Sequence, residues 1–115
     1  MTTEMRQVIL DHQELRQALD SAAGPEDQKL PDGRIGSASI SGDGQQVTIV
    51  VVDGATQASR DVILSASRVA AALIKFCMRR RIPLPRGASK YLFVSGENLG
   101  IRVVLKTGSI AEAKG

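Results

Sequence analysis

The sequence predicts a two-layer α+β domain, built from two tandem α-β-β units that share one four-stranded antiparallel sheet. Three observations predict this fold. The chain matches itself at an offset of 54 residues, each half carries a helical apolar pattern, and each half then alternates apolar and polar residues around a glycine-containing turn. We expect both helices on one face of the sheet, related by an approximate twofold axis.

The self-match pairs residues 2–54 with residues 56–108 without a gap, and 14 of 53 positions are identical. Unrelated segments of average composition share roughly three or four identities over this length. The matching stretches are Val-Ile-Leu at 8–10 and 62–64, Leu-Pro-x-Gly at 30–33 and 84–87, and Ser-Gly at 41–42 and 95–96. One helix and one hairpin bury too little apolar surface to fold alone. We therefore expect a single domain over 1–115, with a flexible tail at 109–115.

The first unit is predicted to begin with a helix over about 3–22, because Val8, Leu15 and Leu19 follow helical spacing. Gly24 and Pro25 end the pattern. Strands are expected at 34–41 and 46–53, joined by a tight turn at 41–44 that contains an Asp-Gly pair.

The second unit repeats this order. A helix is predicted over about 57–80, ended by Pro83 and Pro85, with strands at 89–95 and 99–106 around Gly96-Glu97-Asn98. The Ser-Gly pairs of the two units are expected at equivalent hairpin turns. The helix carries an apolar face wider than one stripe, since Ile63, Ile74 and Met78 flank its central row, and this width favours burial against a second subunit.

Composition restricts the class of protein. Hydrophobic residues make up 43% and charged residues 23%, which is typical of a folded globular chain. The longest apolar runs fall short of the roughly 20 residues that span a bilayer, and the first residues lack a secretory pattern. One cysteine excludes an internal disulfide framework. A cytoplasmic protein without membrane association, metal or cofactor is the expectation.

Enzymatic activity is not expected. The single histidine, His12, lies on a predicted helix and has no evident catalytic partner. Cys77 follows Phe76 in an apolar stretch and is predicted to be a small buried side chain. Ser95 belongs to the repeated Ser-Gly pair, which favours a role in a turn over a role as nucleophile.

Charge is the clearest difference between the halves: residues 1–54 carry a net charge of −5 and residues 55–115 one of +8. The excess of cations gathers around the end of the second helix, where the candidate partner-binding residues are Arg79, Arg80, Arg81, Arg86 and Lys90. Such a cluster docks an acidic protein surface or neutralises nucleic-acid phosphates, or it stays solvated at a helix end whose dipole it complements.

Nucleic-acid binding has weaker sequence support. Tyr91 and Phe93 lie on the same side of one strand and could form a small stacking platform, although we expect at least one of them in the core. The preferred hypothesis is a non-enzymatic interaction or adaptor protein that binds an acidic protein or a second copy of itself, a homodimer included. The alternative is a nucleic-acid-binding module that uses the same basic cluster.

Overall fold

A computed structural model of the protein describes residues 3–25, 27 and 29–106, so the tail predicted at 109–115 lies outside the described residues. The described chain contains two helices and six strands. In chain order these are β1 (Thr3–Leu10), α1 (His12–Ala22), β2 (Arg34–Ile40), β3 (Gln46–Val52), β4 (Ser59–Ser65), α2 (Ala66–Arg79), β5 (Ser89–Ser95) and β6 (Asn98–Lys106).

The strands form two three-stranded antiparallel sheets, in the orders β1-β6-β5 and β2-β3-β4. The α+β class is confirmed, whereas the single four-stranded sheet is wrong. Each sheet combines one hairpin with a strand from the other half of the chain, because β1 pairs with β6 and β4 pairs with β3. The two exchanged strands, β1 and β4, occupy the first parts of the helices predicted at about 3–22 and 57–80.

Residues 3–10 form a strand because the first helix starts later than predicted. Asp11 caps α1: its Oδ1 accepts from the Glu14 N–H at 2.7 Å, and Glu14 Oε1 accepts from the Asp11 N–H at 3.0 Å. This reciprocal pair fixes the first helical residue at His12. Ahead of it, Val8 and Leu10 face the core opposite Ile101 and Leu99, while Ile9 between them is exposed.

The same correction applies to the second helix. Ser65 is its N-cap and accepts from the Arg68 N–H at 3.2 Å, so α2 begins at Ala66 rather than near residue 57. Val62 and Leu64 are core residues of β4, and Ile63 points to the outer face with 56% of its surface exposed. The unusually wide apolar face predicted for this helix arose in part from strand residues.

One apolar cluster joins both sheets and both helices. Its fully buried members come from every layer and include Leu15, Leu73, Ile49, Leu99 and Ile101. Phe76 and Cys77 are buried at the end of α2, as the sequence predicts. The core is therefore almost entirely aliphatic, and the sheets keep their other faces toward solvent.

The two hairpins differ at their turns. Ser41 pairs with Gln46 around four loop residues, whereas Ser95 pairs with Asn98 around two. The left-handed glycine is Gly44 in the first loop (φ 74°) and Gly96 in the second (φ 63°), so the Ser-Gly pairs do not share one conformation. The prediction of equivalent turns is therefore wrong in turn length and in the position of the left-handed glycine.

Because the second turn is two residues shorter, the structural correspondence of the halves after the turn differs from the ungapped sequence match. Val47 lies opposite Ile40 in the first hairpin, and Leu99 lies opposite Val94 in the second. Val47 and Leu99 are 52 residues apart, not 54. Because side chains alternate with a period of two, this shift leaves the buried and exposed faces unchanged.

Candidate functional site

The end of α2 sets the direction of the arginine run. The Ile82 N–H donates to the Cys77 carbonyl at 2.8 Å and the Arg81 N–H donates to the Met78 carbonyl at 3.1 Å. This pair of bonds is a Schellman motif, which requires a left-handed residue just after the helix. Arg81 occupies that position with a φ of 58°, where glycine is usual. The helix thus ends at the motif, ahead of Pro83 and Pro85.

Arg80 is held in place by two contacts. Its guanidinium carbon lies 4.6 Å from the centroid of the Phe76 ring, and its Nη2 donates to Gln17 Oε1 of α1 at 3.2 Å. The stacking covers one face of the guanidinium, and the bond to Gln17 uses one of its five N–H groups. The remaining donors are available to an acceptor from outside.

Arg79 and Arg80 share a groove between the two helices. Gln17, Ser21 and Phe76 complete its lining, and its volume is about 240 Å³. A neighbouring groove of about 290 Å³ is lined by Ser21, Lys75, Met78 and Arg79. Among the residues that the structure describes, no carboxylate lines either groove. The two cavities therefore form one cationic surface, which we call the arginine groove.

The other two predicted residues lie outside this groove. Arg86 is exposed in the turn before Gly87, in the connection to β5. Lys90 is half-buried in β5 opposite Val103, and its Nζ donates to the Ala88 carbonyl at 3.2 Å. The structure brings Arg79 and Arg80 together, with Arg81 at the adjoining cap, and it engages the Lys90 ammonium locally. Lys75 is a groove residue that the sequence analysis did not include.

The outer face of the sheet β1-β6-β5 carries a second group of side chains. Tyr91 is 56% exposed there, and Phe93 lies beside it on the same face. Neither ring belongs to the apolar core, so the expectation that at least one of them fills the core is wrong. The guanidinium carbon of Arg102 lies 4.8 Å from the centroid of the Phe93 ring. Arg102 was missed because only the register of β5 against β6 places it there.

The side chains with catalytic potential, His12 and Cys77, have these surroundings. The His12 Nε2 forms a hydrogen bond with the Glu97 carbonyl at 2.9 Å, which ties the start of α1 to the second hairpin turn. Burial raises the pKa of the Cys77 thiol above its ordinary value of 9.0, so the thiolate is disfavoured. Within the described residues, no three His, Cys, Asp or Glu side chains are grouped to hold a metal ion.

Two loop carboxylates have lowered pKa values for local reasons. The Ser41 hydroxyl, followed by the Gln45 N–H, stabilises the Asp43 carboxylate and lowers its pKa. The N–H groups of Thr56 and Ala55 lower the pKa of Asp53 in the same way. Both carboxylates shape the turns that they cap, at either end of β3.

Comparisons with known proteins give no relative: no family model, no curated protein and no solved structure matches the chain. Neither α1 nor α2, the helices in the described part of the chain, has the length and apolar character needed to cross a membrane.

Proposed function

We propose that this chain is a small non-enzymatic binding protein, an adaptor whose arginine groove docks an acidic protein segment. The observation that carries the proposal is the fixed position of Arg80, which Phe76 and Gln17 hold at the mouth of the groove that Arg79 also lines. A guanidinium ordered before binding loses less conformational entropy when it meets a carboxylate.

The geometry favours carboxylates on a protein over the phosphates of a long polynucleotide. The groove is concave and lies between two helices, of which α1 carries half-buried Glu14 and an Asp20 that is paired with Arg16 at 3.1 Å. The helix has a net charge of −1, so a polyanion that extended beyond the groove along α1 would gain no net attraction, whereas a short acidic segment would stay within the groove. The first half of the chain, with its net charge of −5, adds to the repulsion.

A second copy of the chain is one source of such an acidic segment. The halves carry net charges of −5 and +8, so the basic groove of one copy is complementary to acidic regions of another. Association of this kind is ionic at its centre and weakens with salt. The homodimer therefore remains part of the proposal, and sedimentation at two salt concentrations measures it.

The two halves, we further propose, descend from one duplicated unit. Each half has the order strand, helix, strand, strand, and the helices begin 54 residues apart, at His12 and Ala66. The buried residues of β3 (Val47, Ile49, Val51) and of β6 (Leu99, Ile101, Val103) also correspond one to one. In this proposal the first unit contributes Gln17 and Ser21 to the arginine groove, whereas its cations come from the second unit, where the arginine run follows the helix.

The test uses a fluorescein-labelled peptide of alternating glutamate and alanine, titrated with the full chain and followed by fluorescence anisotropy. Replacing Arg79 and Arg80 with Ala should weaken binding by about tenfold or more, because charge-assisted hydrogen bonds contribute about 1.5–3 kcal/mol each. The control variant replaces Arg34 and Arg60 with Ala. These are two exposed cations of the sheet β2-β3-β4, so the control removes the same charge as the test variant.

An equal loss of peptide affinity in the control variant would contradict the proposal, since it would show that net charge alone determines binding.

The nucleic-acid alternative predicts a different result. Retardation of random duplex DNA near physiological salt, with a log–log salt slope that becomes shallower by about 0.9 for each arginine removed from the cluster, would replace the protein partner with a polynucleotide.

A further inference from the structure

We propose that the outer face of the sheet β1-β6-β5 binds single-stranded nucleic acid by stacking bases on Tyr91 and on the guanidinium of Arg102. This surface is separate from the arginine groove, because the core side chains of β6 face the helices while Tyr91 and Arg102 point the other way. The inference does not depend on the proposed protein partner.

The face is built by three cross-strand rows. Ile9, Gly100 and Phe93 form the first, Gln7, Arg102 and Tyr91 the second, and Met5, Val104 and Ser89 the third. Gly100 leaves room for the Phe93 ring, since a Cβ there would lie 2.9 Å from Phe93 Cε1 and 2.6 Å from the Val8 carbonyl oxygen. The ring thus lies across β6 and serves as a base for the Arg102 guanidinium.

Arg102 is fixed from two sides. Phe93 stacks below it at 4.8 Å, and the amide oxygen of Gln7, in the orientation that satisfies both groups, accepts from its Nη2 at 3.0 Å and its Nε at 3.1 Å. Arg102 keeps part of its surface accessible to solvent, and its cross-strand partner Tyr91 is 56% exposed. A planar cation next to an aromatic ring is the combination on which proteins stack unpaired bases.

The other sheet shows that this arrangement is not a general property of the fold. At the corresponding rows its outer face presents Ile63, Thr48 and Ser39, then Asp61, Val50 and Ser37. Serines stand in place of both aromatic rings, and a carboxylate stands in place of Gln7. These two rows of the other face carry no aromatic ring and no cation, and its third row holds the cation Arg34 beside Val52 and Ser59.

The charge and the stacking groups of this face favour single-stranded nucleic acid as its ligand. The nine residues of the three rows include no carboxylate, and Arg102 is their charged member. A second copy related by a twofold axis at the centre of this face would bring the two Arg102 side chains together, which is unfavourable. The two stacking groups, Tyr91 and the Arg102 guanidinium, belong to one cross-strand row. The bases of a duplex are paired and stacked on one another, whereas the unpaired bases of a single strand can be splayed onto such groups.

The probes are fluorescein-labelled oligo(dT) and oligo(rU) of about 12 nucleotides, within the usual site size of sheet-based binders. Anisotropy of the full chain with each probe is expected to give a Kd of about 1–100 µM at low salt. The two probes distinguish DNA from RNA as the ligand, and either one binding supports the proposal. A duplex of equal length should bind more weakly.

Three variants locate the site. Tyr91→Ala should raise the Kd at least about fivefold, whereas Tyr91→Phe should leave it unchanged because the stacking ring is retained. Ile63→Ala, an exposed residue on the outer face of the other sheet, is the matched control and should have no effect. Circular dichroism checks that Tyr91→Ala is still folded. If Tyr91→Ala is unstable, the Kd of Tyr91→Phe still tests whether the ring without its hydroxyl supports binding.

Four results would overturn the proposal. These are no anisotropy change with either probe up to about 100 µM protein, binding that survives Tyr91→Ala, and binding lost on replacing Arg79 and Arg80 but not Tyr91. The fourth is a dimer that Tyr91→Ala converts to a monomer, which would assign the face to a second copy.

Discussion

Arg81 occupies a backbone conformation that favours glycine, with a φ of 58° at the end of α2. A side chain in this region crowds the following carbonyl and costs about 1 kcal/mol. Replacing Arg81 with Gly should therefore raise the free energy of unfolding by up to about 1 kcal/mol, measured by urea denaturation.

The control for this substitution is Arg79→Gly, which places glycine in the last helical turn and should destabilise the chain by about 1 kcal/mol. If Arg81→Gly destabilised the chain as well, the left-handed cap would not be formed in solution. If binding of the acidic peptide also fell in Arg81→Gly, the third arginine of the run would belong to the groove in addition to Arg79 and Arg80.

At the scale of single elements, the N-cap of α1 decides where a strand becomes a helix. Asp11→Ala removes the acceptor of the Glu14 N–H and should lower the free energy of unfolding by about 1 kcal/mol. Asp11→Asn keeps a capping oxygen and should lose only a small part of it. Thermal unfolding followed by circular dichroism measures both. Equal stability of Asp11→Ala and the unchanged chain would show that pairing of β1 alone sets this boundary.

The local sequence predicted both helices and both hairpins but not the strands before the helices. Val8, Ile9 and Leu10 fit a helical apolar stripe as well as a strand. The sequence signal that distinguishes these alternatives is the capping pair Asp11 and Glu14, which marks the start of the helix. The stabilising partner of β1 is β6, far along the chain. Local pattern cannot reveal a pairing between distant segments, and the four-stranded sheet followed from leaving these strands out.

In the candidate sites, too, the local sequence predicted some features, whereas others depended on contacts between distant segments. The arginine run could be placed at a helix end from local sequence, because Arg79, Arg80 and Arg81 are consecutive. The contacts that hold Arg80 required the packing of α1 against α2. Alternation placed Tyr91 and Phe93 on one side of a strand, but which side faces solvent depended on where the helices pack. Arg102 joined them only through cross-strand register.

For the whole molecule, the exchange of β1 and β4 makes each half depend on the other. A fragment of residues 1–54 lacks β6, the partner of β1, and β4, the outer partner of β3. We expect this fragment to be unfolded as a monomer by circular dichroism and sedimentation, and mixing it with residues 55–115 should restore the sheet signal. A folded monomer of 1–54 would show that the halves are separate domains.

The pairing of β1 with β6 also has a consequence during synthesis. Asn98, the first residue of β6, follows Leu10 by 88 residues. At elongation rates of about 5–20 residues per second, β1 leaves the ribosome roughly 4–18 s before its partner exists. During this interval the backbone N–H and C=O groups of β1 have no strand to pair with, although the residues of β2 and β3 have already been synthesised. The charged residues Glu4 and Arg6 on β1 are well suited to this delay, because charges on an unpaired strand discourage association with other nascent chains.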